Sequence, residues 1–452
     1  MTNQQSNPDS LPTSSNENRR DFLRNRVATS AIAASTLAIP AGVSAAETKS
    51  STSANADSSN PIRIALVGCG GRGTGAINDS LTINDGVVLV ALADLDIQKC
   101  DQTRRGMTSR HADKVNVPDA KMYAGLDAYK RVLADPDVDV VLLATPPGFR
   151  PYHISEAVDA GKHIFAEKPS CVDPAGYHVC LDAHERAVAN GTAIVTGTQY
   201  RRQTNYIEAV EKIREGAIGD IVSATTRYCS NSIWFKNRKP GMSELEYQLY
   251  NWMHFVWLSG DQIAEQAVHN IDALNWVMGS PPESAYGSGG QFTRPEGSEM
   301  WDSMSVDYVY PGERVVSFMC RQIPGTQGDN GSVIYGTEAN MHIAAMSGGS
   351  RIVDRKGKEV WSVAGSISDA YKQEHKDLID SIRDGKPIVE LKQTADSSLT
   401  AVLGRLAAYT GQKVTWDFVT DKSTLDLFPQ DMASNGVPPS QGCAIPGKTK
   451  LV

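Results

Sequence analysis

Nowhere in the 452 residues do about 18 apolar side chains follow one another, the length a helix needs to cross a bilayer, so no stable membrane span is expected. Cysteine is sparse. The seven (Cys69, Cys100, Cys171, Cys180, Cys229, Cys320, Cys443) are odd in number, scattered and never spaced Cys-x-x-Cys, which argues against a disulfide framework and a thiolate zinc site. They read as structural thiols. No excess of cations exists: 44 Lys and Arg stand against 52 Asp and Glu, for a net charge of −8. Nucleic acid is therefore not an expected partner, because duplex binding draws on clustered cations that neutralise phosphates. No internal repeat recurs, and 40% hydrophobic with 21% charged residues lies near the globular average. Collagen-like repetition and wholesale disorder are excluded.

What is present begins with a segment of its own composition. Residues 1–17 are polar, then come Asn18-Arg19-Arg20-Asp21-Phe22-Leu23-Arg24, a mildly apolar run from Val27 to Ile39, and small residues from Ala41 to Ala46. This resembles a twin-arginine (Tat) signal: a charged start, a short apolar middle and an Ala-x-Ala-like end. Residues 1–46 are thus expected to be removed after Ala45 or Ala46, with the Tat export machinery as a transient partner and a periplasmic or otherwise exported location. Residues 47–60, rich in Ser, Ala, Thr and Asn, carry too little apolar surface to offset the entropy of ordering them and read as a disordered linker.

From Pro61 strands and helices alternate. Ile62 to Val67 is an aliphatic run of the kind buried on both faces of a sheet, and it leads directly into Gly68-Cys69-Gly70-Gly71-Arg72-Gly73. In that context Gly68 permits the tight turn, Gly70 lets the backbone approach a pyrophosphate, and Gly73 allows close helix packing. A second strand, Val87 to Ala93, ends at Asp94, where a carboxylate bonds a ribose hydroxyl and repels a 2′-phosphate. Leu95 beside it is not basic, so NAD is expected over NADP. Further helices are expected over 96–112, 126–134, 151–160 and 174–190, and further strands over 138–144, 163–166 and 192–196. Such alternation predicts a parallel sheet with right-handed crossovers that binds ligand at the carboxyl ends of its strands. The glycine turn, Asp94, Thr145-Pro146-Pro147 and Glu167-Lys168-Pro169 all fall at such ends.

Several segments together carry a family resemblance: Ile64 to Gly73, Val138 to Pro147 with His153 after it, Ala160 to Pro169, His269-Asn270-Ile271-Asp272 before Trp276, and His375 to Pro387. They resemble the glucose-fructose oxidoreductase, inositol dehydrogenase and rhizopine-catabolism (Gfo/Idh/MocA) oxidoreductases over nearly the whole chain beyond the linker. The resemblance implies an α/β Rossmann domain over 61–198 and, over 199–452, an α+β domain on a large, mainly antiparallel sheet, its last helices packing back on the first domain. It implies homodimers or homotetramers assembled through sheet faces. It also implies that Lys168 is the catalytic lysine and that the Lys168-Pro169 peptide is cis. An ammonium placed there stabilises the oxyanion that develops as hydride leaves. The expected cofactor contacts are Gly68, Gly70, Gly71, Arg72, Gly73, Asp94, Thr145, Pro146, Pro147, His153, Glu167 and Lys168.

Between Gln199 and Trp257 aromatic and basic residues crowd together, among them Tyr200, Arg201, Tyr228, Trp234, Lys236, Tyr250 and Trp252. Sugar C–H faces stack on aromatics and sugar hydroxyls seek charged donors, so these residues suit a carbohydrate pocket as well as an ordinary core. Lys236-Asn237-Arg238-Lys239-Pro240 is a candidate rim or lid. Glu265 to Trp276 reads as one helix that places Glu265, His269 and Asp272 near one face. The family usually carries Asp-x-x-x-His-x-x-Asp here, so the resemblance makes His269 the acid/base histidine and Asp272 its following Asp, while Glu265 departs by one methylene. Neutral imidazole, with a pKa of about 6.5, suits a base that accepts a hydroxyl proton. The expected substrate contacts are Lys168, Tyr200, Arg201, Trp234, Glu265, His269 and Asp272, with no metal site. Segments from Val306 onward alternate like antiparallel strands, and Gly336-Thr337-Glu338-Ala339-Asn340 resembles a turn of the family.

The expected function is an exported NAD-dependent oxidoreductase acting on a hydroxyl of a sugar, sugar acid or cyclitol. Free NAD is scarce outside the cytoplasm and Tat export carries folded proteins, so the cofactor is expected to stay bound and be recycled by a second substrate. The alternative is an NAD-dependent glycoside hydrolase that oxidises transiently, eliminates the aglycone, adds water and reduces again. A non-enzymatic NAD-binding or sugar-sensing protein is a third reading, disfavoured by the joint presence of Lys168 and His269.

Overall fold

The computed structural model describes residues 61–346, 348–429, 436–440 and 442–452. The expected signal and linker lie outside the described residues. Six strands, β1 (Ile62–Val67), β2 (Val87–Asp94), β3 (Met122–Ala124), β4 (Val140–Leu143), β5 (His163–Ala166) and β6 (Ile194–Thr196), form one sheet in the order β3-β2-β1-β4-β5-β6. Every pairing in it is parallel. Ile64, Ala65, Leu66, Val140, Val141 and Leu143 are wholly buried, because helices cover both faces. Those helices are α1 (Gly71–Ile83), α2 (Ile97–Arg110), α3 (Ala128–Leu133), α4 (Arg150–Asp159) and α5 (Pro174–Asn190). Asp96 caps α2 and Asp173 caps α5 through side-chain bonds to the amides of Gln98 and Gly176. The strand order reverses between β1 and β4, which opens a crevice beyond their carboxyl ends. Strand β3 has no counterpart in the sequence reading; three residues at a sheet edge are too few to show an alternation.

The second sheet has nine strands: β7 (Ile221–Ser230), β8 (Ser284–Gly290), β9 (Ser303–Tyr310), β10 (Arg314–Gln322), β11 (Asp329–Gly336), β12 (Ala339–Ala344), β13 (Ser350–Asp354), β14 (Glu359–Val363) and β15 (Val414–Thr415). Their order is β14-β13-β12-β11-β7-β10-β9-β8-β15, and only β7 with β10 runs parallel. Val306, Tyr308 and Tyr310 on β9 and Val316, Phe318 and Cys320 on β10 point to the buried face, at the two-residue period of a strand.

Seven further helices complete the parts that matter here: α6 (Thr204–Arg214), α7 (Glu244–Tyr250), α8 (Val256–Ser259), α9 (Asp261–Glu265), α10 (Val268–Met278), α11 (Ile367–Arg383) and α12 (Leu391–Thr410). Helix α12 is buried along almost its whole length and packs against α5, α10, β8 and β9. Its Arg405 is wholly enclosed and donates to the carbonyls of Gly260 and Val172, both at 2.9 Å. Helix α11 packs on α1, and the segment after it bonds to β6 through Ile194 N to Ile388 O at 2.7 Å and Glu390 N to Ile194 O at 2.9 Å. The late helix thereby reaches the glycine turn, where the Arg72 guanidinium lies 4.6 Å over the Tyr371 ring.

One expected helix is two. The chain bends between α9 and α10, so Glu265 ends one helix while His269 and Asp272 belong to the next. The Glu265 carbonyl accepts from the Lys168 ammonium, and Gln266 Oε1 accepts from Gln322 Nε2 at 2.5 Å, two contacts that hold the bend.

Candidate active site

The glycine turn separates three physical requirements. Gly68 sits at φ +97°, and a Cβ there would lie 2.7 Å from the carbonyl carbon of Ala144. A Cβ on Gly73 would lie 1.9 Å from the Gly68 oxygen, so helix and strand meet with no room for a side chain. Gly70 has extended backbone and its Cβ position faces open space. Helix α1 starts immediately afterwards with no side-chain cap, which leaves its first amides as donors for an anionic group. Asp94 closes this end: Oδ2 accepts from Cys69 N at 2.8 Å, Oδ1 from Asp96 N at 3.1 Å, and Lys99 pairs with it at 3.6 Å.

Two adjoining cavities follow from this arrangement. The first runs past Gly68, Asp94, Lys99 and His153; the second past Gly71, Arg72, Glu167 and Lys168. Both are lined by Gly70, Ala144, Thr145, Pro146 and Trp252. Between them they take in all twelve residues expected to touch the cofactor. An elongated dinucleotide fits: open space at Gly70, uncapped amides at α1, and a carboxylate at the ribose end. His153 supports the wall, with Nδ1 3.1 Å from the Thr145 hydroxyl and its ring 4.0 Å from Tyr129. Burial, with Arg150 nearby, pushes its pKa down to about 3, so it stays neutral.

The two glycines are separable by experiment. Gly73→Ala is expected to destabilise the fold by about 1–3 kcal/mol through overpacking. Gly70→Ala is expected to shift stability by no more than about 0.5 kcal/mol and to weaken NAD binding at least about tenfold, since each factor of ten is about 1.4 kcal/mol of lost fit. Urea unfolding and calorimetric NAD titration on the same preparations check both.

At the other end Lys168, Glu265 and His269 converge on the second cavity. Lys168 Nζ bonds Glu265 Oε1 at 3.1 Å as well as the Glu265 carbonyl, and both side chains are mostly enclosed. The Lys168-Pro169 peptide is cis. Glu167, behind Lys168, is paired with Arg72. His269 keeps an edge toward the cavity; burial, then the charges of Lys168 and Arg72, hold its pKa well below the usual imidazole value. Its Nδ1 is enclosed without a partner, while Gln199 Nε2 faces its Nε2 at 3.5 Å. The site therefore holds a carboxylate-positioned cation beside an unprotonated imidazole, an arrangement suited to removing a hydroxyl proton and stabilising the oxygen it leaves. Among the described residues, no group of three His, Cys, Asp or Glu side chains comes together to hold a metal ion.

Four residues expected to contact substrate lie elsewhere. Asp272 is buried in a bidentate pair with Arg201, at 2.8 Å for both bonds, and accepts from Ser397 Oγ at 2.8 Å. Both partners are thus engaged behind α10 and outside the cavity. Tyr200 is 2% exposed and stacks on Tyr206 at 4.5 Å, backing the His269 ring instead of facing the cavity. Trp234 packs at 6.4 Å against Trp252, and its carbonyl is bonded to His254, so it braces the wall from outside. The candidate lid Lys236–Pro240 is pinned at its start: Asn251 accepts from Lys236 N at 2.8 Å and donates to Lys236 O at 2.9 Å.

Tyr228 and Trp252, part of the aromatic run that suits a carbohydrate pocket, line the second cavity, and Gln199, Gln266 and Tyr371 line it without having been singled out from sequence as site residues. Gln199 had a usable signal, since it follows the carboxyl end of β6. Tyr371, on α11, had none, because its neighbour Arg72 lies about 300 residues earlier.

Residues 62–190 match the family described as "Oxidoreductase family, NAD-binding Rossmann fold", and residues 206–342 match the "GFO/IDH/MocA C-terminal domain". The chain is 24% identical over 367 residues to inositol 2-dehydrogenase 3 of Saccharopolyspora erythraea, covering 78% of this chain and 90% of that protein. It is also 24% identical over 192 residues to a glycosyl hydrolase family 109 protein of Shewanella pealeana, covering 42% of this chain and 39% of the relative. Among solved structures, levoglucosan dehydrogenase in complex with NADH and levoglucosan gives a TM-score of 0.64 at 17% identity, over 79% of this chain and 99% of that one. Scyllo-inositol dehydrogenase from Lactobacillus casei, with bound NAD(H) and scyllo-inositol, gives 0.60 at 16% identity, over 79% and 99%. At such identities these structures establish likeness of fold. The crevice at the strand reversal, the second sheet and both domain matches agree, and the chain belongs to the GFO/IDH/MocA oxidoreductases with an NAD-binding Rossmann domain.

Proposed function

We propose that this family member is an exported enzyme that oxidises a hydroxyl of a sugar, sugar acid or cyclitol with an NAD that stays bound and is recycled in place. The observation that carries the reading is the cluster of Lys168, Glu265 and His269 at the mouth of the dinucleotide cleft. The substrates named for the similar dehydrogenases, inositols and levoglucosan, are polyhydroxylated rings and support the substrate class.

NAD, when bound, supplies the hydride acceptor. Gln199 Nε2 donates to His269 Nε2, which makes that nitrogen the unprotonated one, and a substrate hydroxyl that takes the place of Gln199 there passes its proton to it. Lys168 Nζ donates to the oxygen left behind, and Glu265 holds the ammonium in place. Burial keeps the imidazole unprotonated through neutral pH.

The resemblance of residues 1–46 to a Tat signal motivates the exported part of the reading. Denaturing the exported protein, purified without added nucleotide, is expected to release NAD(H) in stoichiometric amount, identified by absorbance and mass. A protein that emerges empty and binds NAD weakly would sink the recycling scheme. The glycosyl hydrolase family 109 relatives favour a second reading, transient oxidation followed by elimination and hydration. Release of an aglycone from an aryl glycoside with no net change at the NADH absorbance band distinguishes it.

A further inference from the structure

Residues 234–257 contribute no strand to either sheet and none of the cluster Lys168, Glu265 and His269, yet they are bonded as firmly as a core element. Ser243 and Glu246 form a reciprocal cap at the start of α7. Gln248 accepts from Trp257 Nε1 at 2.6 Å and donates to Pro438 O at 2.7 Å. His254 is held between Ser298 Oγ at 2.8 Å and Trp234 O at 2.7 Å. The inner side of this segment faces the cleft: Leu249 lines the first cavity, and Trp252 lines both.

Three contacts show where the segment presses. A Cβ on Gly148, one residue beyond the Pro146-Pro147 wall, would lie 2.2 Å from Trp257 O, so the two backbones meet where only glycine fits. Phe149 stands edge-on to Trp257 with ring centres 5.6 Å apart. At the ribose end Lys236 lies over Trp234 and Tyr250, at 4.6 and 4.2 Å, and it feels the charge of Lys99, the partner of Asp94. The segment therefore runs from the ribose carboxylate to the junction of the two cavities.

We propose that residues 234–257 are a strap that retains the dinucleotide, with the indole of Trp252 seated on it where the cavities join. A half-buried indole lines both cavities at that point, and a planar heterocycle or ribose beneath it covers its apolar face. The aromatic run between Gln199 and Trp257, which suits a carbohydrate pocket by composition, serves the cofactor at this position. The strap rests on the reading that NAD is a resident group, and it deepens that reading by naming what keeps NAD there.

The test uses the full protein with NADH as probe. Dissociation is followed by loss of tryptophan-to-NADH energy transfer after mixing with excess NAD, and affinity by calorimetry, for wild type, Trp252→Phe, Trp252→Ala and Gly148→Ala. Trp252→Ala is expected to speed release and raise Kd at least about tenfold, a loss of about 1.4 kcal/mol of binding, while Trp252→Phe keeps most of the retention. Gly148→Ala, which displaces the strap without touching the indole, is expected to speed release as well. Thermal unfolding of the cofactor-free proteins confirms that each variant folds. If wild type holds NADH and both alanine variants release it at the wild-type rate, the strap is overturned and the resident cofactor survives. If wild type exchanges NADH rapidly, the resident reading fails, and equal Kd values for wild type and Trp252→Ala then overturn the strap separately.

Discussion

Lys168→Met is expected to lower kcat/KM by about 10²–10³-fold, the usual cost of losing one donor to a developing oxyanion, and His269→Ala by about 10²–10⁴-fold, the range for a general base. The double variant is expected to fall little further than the worse single one, since groups that act as a unit are non-additive. The pH profile supplies an independent readout. Burial, then Lys168 and Arg72, lower the His269 pKa, so the acid limb of kcat/KM lies well below the usual imidazole value. Lys168→Met removes one of the two repelling charges, which raises the His269 pKa and moves that limb to higher pH. A variant that loses rate with an unmoved acid limb would break the link between Lys168 and His269. The substrate for these measurements is whichever sugar or cyclitol reduces the bound NAD in a screen.

A second large effect concerns stability in acid. His375 is wholly buried against Phe165, with neither ring nitrogen bonded, and burial followed by Arg72 pushes its pKa down to about 3. Its unfolded value is about 6.5. A folded-state pKa below the unfolded one means that stability is fully present above about pH 6.5 and falls, by up to about 1.4 kcal/mol per pH unit, as pH drops toward the folded value. His153 acts in the same direction. Glu374 opposes them: burial raises its pKa, so its share of stability is present below the normal carboxylate range and is lost as pH rises toward the folded value. The informative quantity is therefore a difference between variants. His375→Leu, of similar bulk and unable to titrate, is expected to lose about 2 kcal/mol less than wild type between about pH 7.5 and about pH 5. Urea unfolding at the two pH values measures it, and equal losses would show that His375 does not enter the folded state neutral.

Legibility followed distance along the chain. Gly68, Gly70, Gly73 and Asp94 were readable because the turn, the helix start and the next strand end lie within about 30 residues, and each glycine answers a steric need that spacing announces. The fates of Glu265, His269 and Asp272 were readable only in part. Helical periodicity placed them on one face, yet the helix bends where the Glu265 carbonyl turns to Lys168, and Asp272 turns away to meet Arg201 and Ser397. The bend and the ion pair are made by residues 56 to 125 positions away in the chain. No local propensity encodes such a partner.

By itself the sequence determined the alternation of strands and helices, the parallel sheet with its crevice, the glycine turn and its carboxylate, and the lysine and histidine of the candidate site. The alternation, the sheet and the glycine turn rest on periodicity or on short spacing, which covalent geometry converts directly into position, whereas the lysine and the histidine rest on the family resemblance. Tertiary structure alone decided which polar side chains face the cleft and which neutralise one another behind it. It also decided that Tyr371 reaches the glycine turn, and that the aromatic segment around Trp252 lies along the nucleotide site. Those outcomes depend on the packing of elements remote in sequence, where a buried charge is tolerated only beside a partner that another element brings to it.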